Sequence, residues 1–412
     1  MKFQYSAVLM LALLSISGVS AAQQQPSMQD LWQLVQQQQS QIEALQAEIS
    51  AMKQQTQATD DKVAATDAKV EATGDYVESL VVDSSVNKTH IGGYGELHYN
   101  NVSSAAGDSD AIDFHRFVLF FGHEFTDRIR FFSEFELEHS LAGGGAPGEV
   151  ELEQAYAEFL LTDNSALRAG LFLVPIGILN ETHEPPTFYG VERNDVENII
   201  LPSTWWEAGA AFTGRTNSGF SWDVALHSGL AMPTSGGSAY RVRSGRQKVA
   251  EAIASDPAYT LRAKYTGIPG LELAASYQYQ SDPSQVAGDG LDSGQLFTTH
   301  AAYQHGGFGL RALFAQWRFD GAGVEAAGAD RQDGWYIEPS YRINEKWGTY
   351  VRYQDLDGAR DQDQFTQNEF GFNFWPTEGV VFKMDFRDRN YSLPGLAGSD
   401  FEAIDLGFGY NF

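Results

Sequence analysis

Leu271-Glu-Leu-Ala-Ala-Ser-Tyr-Gln-Tyr279 decides how this chain is read. Leu271, Leu273, Ala275, Tyr277 and Tyr279 fall on one face, while Glu272, Ala274, Ser276 and Gln278 fall on the other. A period of two with one apolar and one polar side is the pattern of a β-strand in a sheet whose faces meet different surroundings. The same alternation recurs upstream, where Tyr259, Leu261, Ala263 and Tyr265 oppose Thr260, Arg262 and Lys264. It recurs again where Phe131, Phe135 and Leu137 oppose Arg130, Glu134, Glu136 and Glu138.

Sixteen such stretches are read between His90 and Phe412, most of ten to fourteen residues. They begin near His90, Ala111, Arg128, Val150, Ala166, Thr204, Gly219, Asp256, Gly270, Gln295, Gly307, Asp333, Lys346, Gln364, Glu378 and Ser399. Tight turns such as Thr126-Asp127, Asp163-Asn164 and Ile268-Pro269 alternate with longer connections rich in Gly, Asp and Ser, the longest being 175–203 and 231–255. An even number of long antiparallel strands, with short turns at one end and long loops at the other, is the layout of an outer-membrane barrel. The competing reading, a soluble β-sandwich, calls for shorter strands of about five or six residues. The predicted fold class is therefore all-β, a sixteen-stranded antiparallel transmembrane barrel preceded by an α-helical coiled-coil segment.

The last stretch adds to this reading. Ile404, Leu406, Phe408, Tyr410 and Phe412 alternate with Asp405, Gly407, Gly409 and Asn411, and the sequence ends on the aromatic Phe412. Trp205, Trp206, Trp335, Tyr336, Trp347, Tyr350 and Trp375 lie at predicted strand ends, where girdles of amphipathic rings would meet the membrane interfaces.

Composition narrows the function. The 412 residues carry a net charge of −27, no cysteine and 13% aromatics. The acidity argues against nucleic acid as a partner, because such binding needs clustered Lys and Arg. The lack of cysteine excludes a disulfide scaffold and thiolate metal sites. No cofactor motif is present. Asp355-Leu-Asp357-Gly358 with Asp361 and Asp363 hints at Ca²⁺ but lacks EF-hand spacing, so no metal site is assigned.

Two segments precede the barrel. Residues 1–22 read as a secretory signal peptide: Lys2, an apolar run from Ala7 to Ile16, and Ser20-Ala21-Ala22 for cleavage. Residues 23–89 read as a periplasmic coiled coil or linker. Spacings of four and three alternate through Leu31, Val35, Gln38, Ile42, Leu45, Ile49 and Met52, and continue to Leu80 with threonine at many positions. β-Branched residues at a and Leu at d favour two strands, a preference that Gln38 and the threonines blur.

A barrel of sixteen strands encloses a water channel whose selectivity rests on lumen charge and on any loop folded inside. The inward bases are Arg116, Arg130, Arg168, Arg262, Lys264, Arg311, Arg342, Arg352, Lys383, Arg387 and Arg389. They are matched by acids including Glu96, Glu134, Glu136, Glu138, Glu158, Glu207, Glu272, Glu338, Glu369 and Asp385, and these charges are expected to form a solvated lumen network. The third long loop, with Glu181, His183, Glu184, Glu192 and Arg193, is long enough to enter the lumen and constrict it. The fourth loop is basic, with Arg241, Arg243, Arg246 and Lys248 within eight residues. Its charges fit an anion-attracting patch or, equally, lipopolysaccharide contact.

The chain resembles the phosphate-selective porin O and P family. The stretches that carry the resemblance are Ile91-Gly-Gly-Tyr-Gly-Glu-Leu97, His115-Arg-Phe117, Phe132-Ser-Glu-Phe-Glu-Leu-Glu138, Leu152-Glu-Gln-Ala-Tyr156 and Arg168-Ala-Gly-Leu-Phe-Leu-Val-Pro-Ile-Gly177. The Glu192-Arg193 pair and the closing strand also fit. The resemblance implies a trimeric porin in the bacterial outer membrane with its third loop in the lumen, passing ions and small hydrophilic solutes. It also implies an arginine ladder and a lysine-rich constriction for phosphate. Here the clear lumen lysines are only Lys264 and Lys383, and the third loop is acidic, so weak selectivity is expected. Two rival classes are a structural or adhesive barrel tethered by its coiled coil, and a barrel enzyme. The second has no recognisable Ser, His and Asp motif behind it.

Overall fold

The computed structural model describes residues 88–393 and 399–412. The signal peptide and the coiled coil predicted before them lie outside the described residues. The strands are β1 (Thr89–Ser104), β2 (Ser109–Thr126), β3 (Ile129–Glu138), β4 (Val150–Thr162), β5 (Ser165–Leu173), β6 (Trp206–Arg215), β7 (Phe220–His227) and β8 (Ala258–Ile268). They continue with β9 (Leu271–Gln280), β10 (Ser293–His305), β11 (Phe308–Asp320), β12 (Arg331–Arg342), β13 (Trp347–Asp357), β14 (Gln364–Thr377), β15 (Val380–Tyr391) and β16 (Phe401–Asn411). Each begins within about two residues of the position read from the alternation. Every strand pairs antiparallel with its chain neighbour, and β1 closes on β16. A two-way bond between Gly93 and Phe412, at 3.0 and 2.9 Å, seals the seam where the sequence ends.

The outer face is the apolar one. Leu261, Leu273, Tyr277, Phe297, Val351, Phe382 and Leu406 are exposed there, as a lipid-facing wall requires. Among the described residues no helix is long and apolar enough to cross a membrane; the chain crosses with strands.

The aromatic girdle is only partly as expected. Trp335 and Trp347 are exposed, but Trp205, Trp206, Tyr336, Tyr350 and Trp375 are buried. Register explains Tyr336 and Tyr350. Tyr336 pairs with Leu313 and Gln354, and Tyr350 with Ser340 and Gly371, all on the inward face. Position near a strand end put these rings at the interface in the sequence reading; the parity of the pleat turns them inward.

The interior also holds an apolar core. Leu296 of β10, Leu313, Ala315, Trp317 and Phe319 of β11, Tyr336, Leu356 and Phe365 pack against two long loops. Val174, Ile176, Val196, Ile200, Leu201 and Trp205 come from the loop joining β5 to β6, and Leu230, Met232, Tyr240 and Val242 from the loop joining β7 to β8. The upper part of β11 turns its apolar side inward while Gln316 and Arg318 face out, the reverse of a strand lining a channel. That reversal gives both loops something to pack on.

Candidate functional site

The third loop, residues 174–205, lies inside the barrel along its wall. Ser276 of β9 donates to Pro175 O at 3.1 Å, Trp317 of β11 to Ile200 O at 3.0 Å, and Lys383 of β15 to Gly190 O at 2.7 Å. Toward β1, His98 and Asn100 reach Glu192 at 3.1 and 2.9 Å. The segment thus spans the lumen and takes bonds from opposite walls.

One carboxylate holds the loop's shape. Oε1 of Glu197 accepts the backbone N–H groups of Ile178 and Leu179, at 2.5 and 2.7 Å. Oε2 accepts from Asn194 Nδ2 at 3.1 Å and Tyr336 Oη at 2.9 Å. Asn194 Oδ1 in return accepts the Glu197 N–H at 2.9 Å, at the entry to a single π-helical turn, Val196–Ile200. Gly177 makes room: its φ is +64°, and a Cβ there would sit 2.5 Å from Glu197 Oε1. At the loop's other close approach Gly190 has φ +88°, and a Cβ would meet Glu369 and Arg352 at 2.9 and 3.1 Å. Both positions need glycine for backbone and for space.

The expected constriction residues divide in two. Glu181 pairs with Arg262 of β8, and Glu192 with His98 of β1. Burial pushes the Glu192 carboxyl up, but the His98 imidazole and the Arg387 guanidinium overcome it and hold it well below the usual range. Glu181 is likewise lowered, the Arg262 guanidinium outweighing burial. His183 and Glu184 sit on the β3–β4 side. Burial, helped by Arg193, pushes the His183 imidazole down to about 4, and burial pushes the Glu184 carboxyl up. Arg193 donates to His183 O at 3.5 Å.

The wall charges face inward, yet most are not solvated. Arg116 meets Glu96 at 2.7 Å and Glu136 at 3.5 Å, and all three are buried. Arg352 lies between Glu338 and Glu369, at 2.7 and 2.9 Å, 1% exposed. Arg387 is paired with Asp405, and Arg389 meets Asp195 of the third loop at 2.6 Å. Arg130 and Arg168 share Glu158, and Lys264 meets Glu272 at 3.6 Å. The expectation of a solvated network does not hold for the buried pairs on β1–β3 and β13–β16, where the third loop packs over the wall. Among the described residues, Arg311 and Arg342 make no carboxylate ion pair. Arg311 donates to Thr187 O at 2.9 Å, and Arg342 lies 3.6 Å over the Trp375 ring.

The basic fourth loop clamps its neighbours. Arg241 forms a fork with Asp363, at 2.7 and 2.8 Å. Arg243 donates to Ser203 O at 2.7 Å, Arg246 to Pro202 O at 3.3 Å, and Lys248 pairs with Glu149 and Glu151. Two of these arginines thus hold the returning end of the third loop through its carbonyls. The sequence reading did not assign the bracing roles of Glu197, Asn194, Tyr336 and Trp317. The Asn194-x-x-Glu197 spacing, a helix-entry signature, is the signal that could have found the first two.

Comparison with known proteins agrees with this geometry. The model of the family described as phosphate-selective porin O and P matches residues 92–412. An uncharacterised protein of Aquifex aeolicus is 30% identical over 332 residues, 73% of this chain and 76% of that one. The anion-selective porin from Comamonas acidovorans shares the fold with a TM-score of 0.58 at 12% identity, over 79% of this chain and 99% of that one. OmpF of Salmonella typhi, solved with daunomycin, gives 0.55 at 14% identity over 80% and 99%. The outer-membrane channel DcaP of Acinetobacter baumannii gives 0.53 at 12% identity over 79% and 97%. With a closed sixteen-stranded barrel, an apolar outer face and a loop laid across its lumen, the chain belongs to the phosphate-selective porin O and P family and is an outer-membrane porin.

Proposed function

We propose that this porin is a general diffusion pore for ions and small hydrophilic solutes, with a weak anion preference set near its turn end. The observation that carries this reading is the unequal neutralisation of the wall. The deeper wall arginines are each matched by a carboxylate, whereas Arg311 and Arg342, close to the short turns, bond only to carbonyls and a ring. Glu338, the cross-strand neighbour of Arg311, is turned to Arg352. Unpaired cations at a water-filled mouth raise the local anion concentration. The anion-selective porin of Comamonas acidovorans, which shares the fold, is in keeping with this.

The test is the reversal potential of purified protein in a planar bilayer across a potassium chloride gradient, repeated with potassium phosphate. Wild type should lean to the anion, and the double variant Arg311→Gln, Arg342→Gln should move the potential toward the cation side. A cation-selective wild type, or a variant that leaves the potential where it was, would overturn the assignment. Phosphate should pass without the tight binding that a lysine-rich constriction gives.

Assembly and targeting complete the proposal. Residues 1–22 direct secretion, residues 23–89 stay in the periplasm, and the barrel sits in the outer membrane among lipid and lipopolysaccharide as a homotrimer. OmpT of Vibrio cholerae, in its trimer form, is a structural relative at a TM-score of 0.51. Deleting Gln24 to Asn87 should leave conductance in place; a pore lost with that segment would favour the structural or adhesive reading. The family and the fold point to a channel rather than an enzyme.

A further inference from the structure

Between the third loop and strands β3 and β4 lies a pocket of side chains that diffusion does not explain. Glu134 is 1% exposed, Glu153 1% and His183 3%, and one potential ligand atom from each lies within 4.8 Å of the others. His183 Nε2 stands 3.3 Å from Glu134 Oε1 and 3.6 Å from Glu153 Oε2. On its other edge Nδ1 faces the carbonyl of Asn180 at 3.3 Å. A carbonyl and a carboxylate both only accept; with the ring hydrogen on Nδ1 for the carbonyl, Nε2 presents its lone pair between the two carboxylates.

The carboxylates are prepared in a matching way. Glu134 places its far oxygen on Gln154 Nε2 at 2.7 Å, and Glu153 places its own on Thr204 Oγ1. Their remaining oxygens converge on the imidazole. Glu153 Oε2 has no hydrogen-bond donor although it is buried. Next to them Glu136, 0% exposed, lies carboxyl to carboxyl with Glu153 and has only Arg116 at 3.5 Å as a counter-charge. Arg116 in turn lies closer to Glu96, at 2.7 Å. Three adjacent buried carboxyl groups with one guanidinium among them are costly as anions, because charge held out of water is compensated only by a proton or a cation.

We propose that Glu134 Oε1, Glu153 Oε2 and His183 Nε2 bind one divalent transition-metal cation of the zinc or manganese class. One imidazole and two carboxylates form an ordinary donor set for such ions. The outer contacts are those that orient metal ligands: imidazole N–H to a backbone carbonyl, and each carboxylate held through its second oxygen. The ion's charge would cancel the two ligating carboxylates and leave Glu136 to Arg116. Its structural effect would be to tie the start of the third loop to β3 and β4, bracing the constriction opposite the clamp made by Glu197.

The two other groupings of His and acid residues are weaker. Asp113, His115 and His139 are closed by hydrogen bonds from both imidazoles to one carboxylate, at 3.0 and 2.8 Å. Glu138, Glu149 and Glu151 surround Lys248, which pairs with the latter two.

The test uses the full-length protein in detergent, purified without chelator and then dialysed against Zn²⁺ or Mn²⁺ and back into metal-free buffer. Elemental mass spectrometry should find an equimolar amount of one of these metals. That amount should be lost in Glu153→Gln and in His183→Asn and kept in His115→Asn. Heat-modifiable migration on gels reports whether each variant is a folded barrel. Should His183→Asn fail to fold, Glu153→Gln, which keeps the volume and the Thr204 contact, decides the question. Removing the metal from wild type should raise open-channel noise, and returning it should restore quiet steps. No retained metal in wild type, or metal retained equally in a folded Glu153→Gln variant, overturns the proposal; so does metal lost only with His115→Asn.

Discussion

Glu197→Ala tests the claim that a single carboxylate sets the shape of the third loop. Glu197 is fully buried and accepts four hydrogen bonds, two of them from the backbone N–H groups of Ile178 and Leu179. Alanine removes the acceptors and leaves both N–H groups buried. Each such orphan costs about 1–3 kcal/mol, so the seated loop should lose ~2–6 kcal/mol relative to a displaced one. At a factor of ten per 1.4 kcal/mol, the displaced population rises by roughly 30-fold to 10⁴-fold. The barrel strands make none of the backbone bonds at stake, so the folded barrel should survive on heat-modifiability gels. In planar bilayers the variant should then show excess open-channel noise or a larger unitary conductance. Glu197→Gln keeps one oxygen for the two N–H groups and should fall between wild type and alanine. A folded Glu197→Ala barrel with wild-type conductance and wild-type noise would refute the reasoning, because the loop would then be held by its apolar contacts alone.

Arg352→Ala should destabilise the barrel by about 3–5 kcal/mol, since it strands Glu338 and Glu369 in the interior, and the temperature of heat-modified migration should fall accordingly. Acid should loosen the constriction from the β1 and β8 sides. The carboxyls of Glu192 and Glu181 are depressed in the folded protein, so their contribution is complete above the ordinary glutamate range and is lost as pH falls toward the folded values. Channel noise should therefore stay low through mildly acidic pH and rise only below the usual glutamate range, and Glu192→Gln should show that noise already at neutral pH. Leu261→Arg, on the outer face near the middle of β8, should cost ~2–4 kcal/mol of folding free energy in lipid vesicles, read from denaturant titration. Arginine at the neighbouring inward position Thr260 should not carry the lipid penalty, though it would disturb the buried His227–Thr260 contact.

The barrel was legible because its cause is local. A strand between lipid and water must alternate, and that alternation is written along each of the sixteen strands. The inward wall charges were legible for the same reason, since parity assigns a face without knowledge of the partner. What alternation cannot show is what lies beyond the inner face. Arg352 of β13 and Arg387 and Arg389 of β15 look alike in sequence, as inward bases of alternating strands. Their surroundings are set by a loop 163 to 194 residues away, which brings Asp195 to Arg389 and the Tyr189 carbonyl to Arg352. The aromatics misled for a related reason. Position near a strand end suggests the membrane interface for Trp205 and Tyr336, whereas Trp205 belongs to the third loop inside the barrel and Tyr336 faces inward in the same apolar core. One trace of that inner surface was present in the strands. In β11 the apolar face changes function along its length, with Arg311 facing water near the turn and Trp317 and Phe319 facing in above it. A channel wall that turns aromatic on its lumen side needs something apolar to cover it, and the long Pro- and Ile-rich connection after β5 is the segment available. The inward loop follows from the strand it packs on, and the −27 charge of the chain says little about the pore, because most wall charges are paired before a solute meets them and the two arginines left without a carboxylate, Arg311 and Arg342, are of the opposite sign.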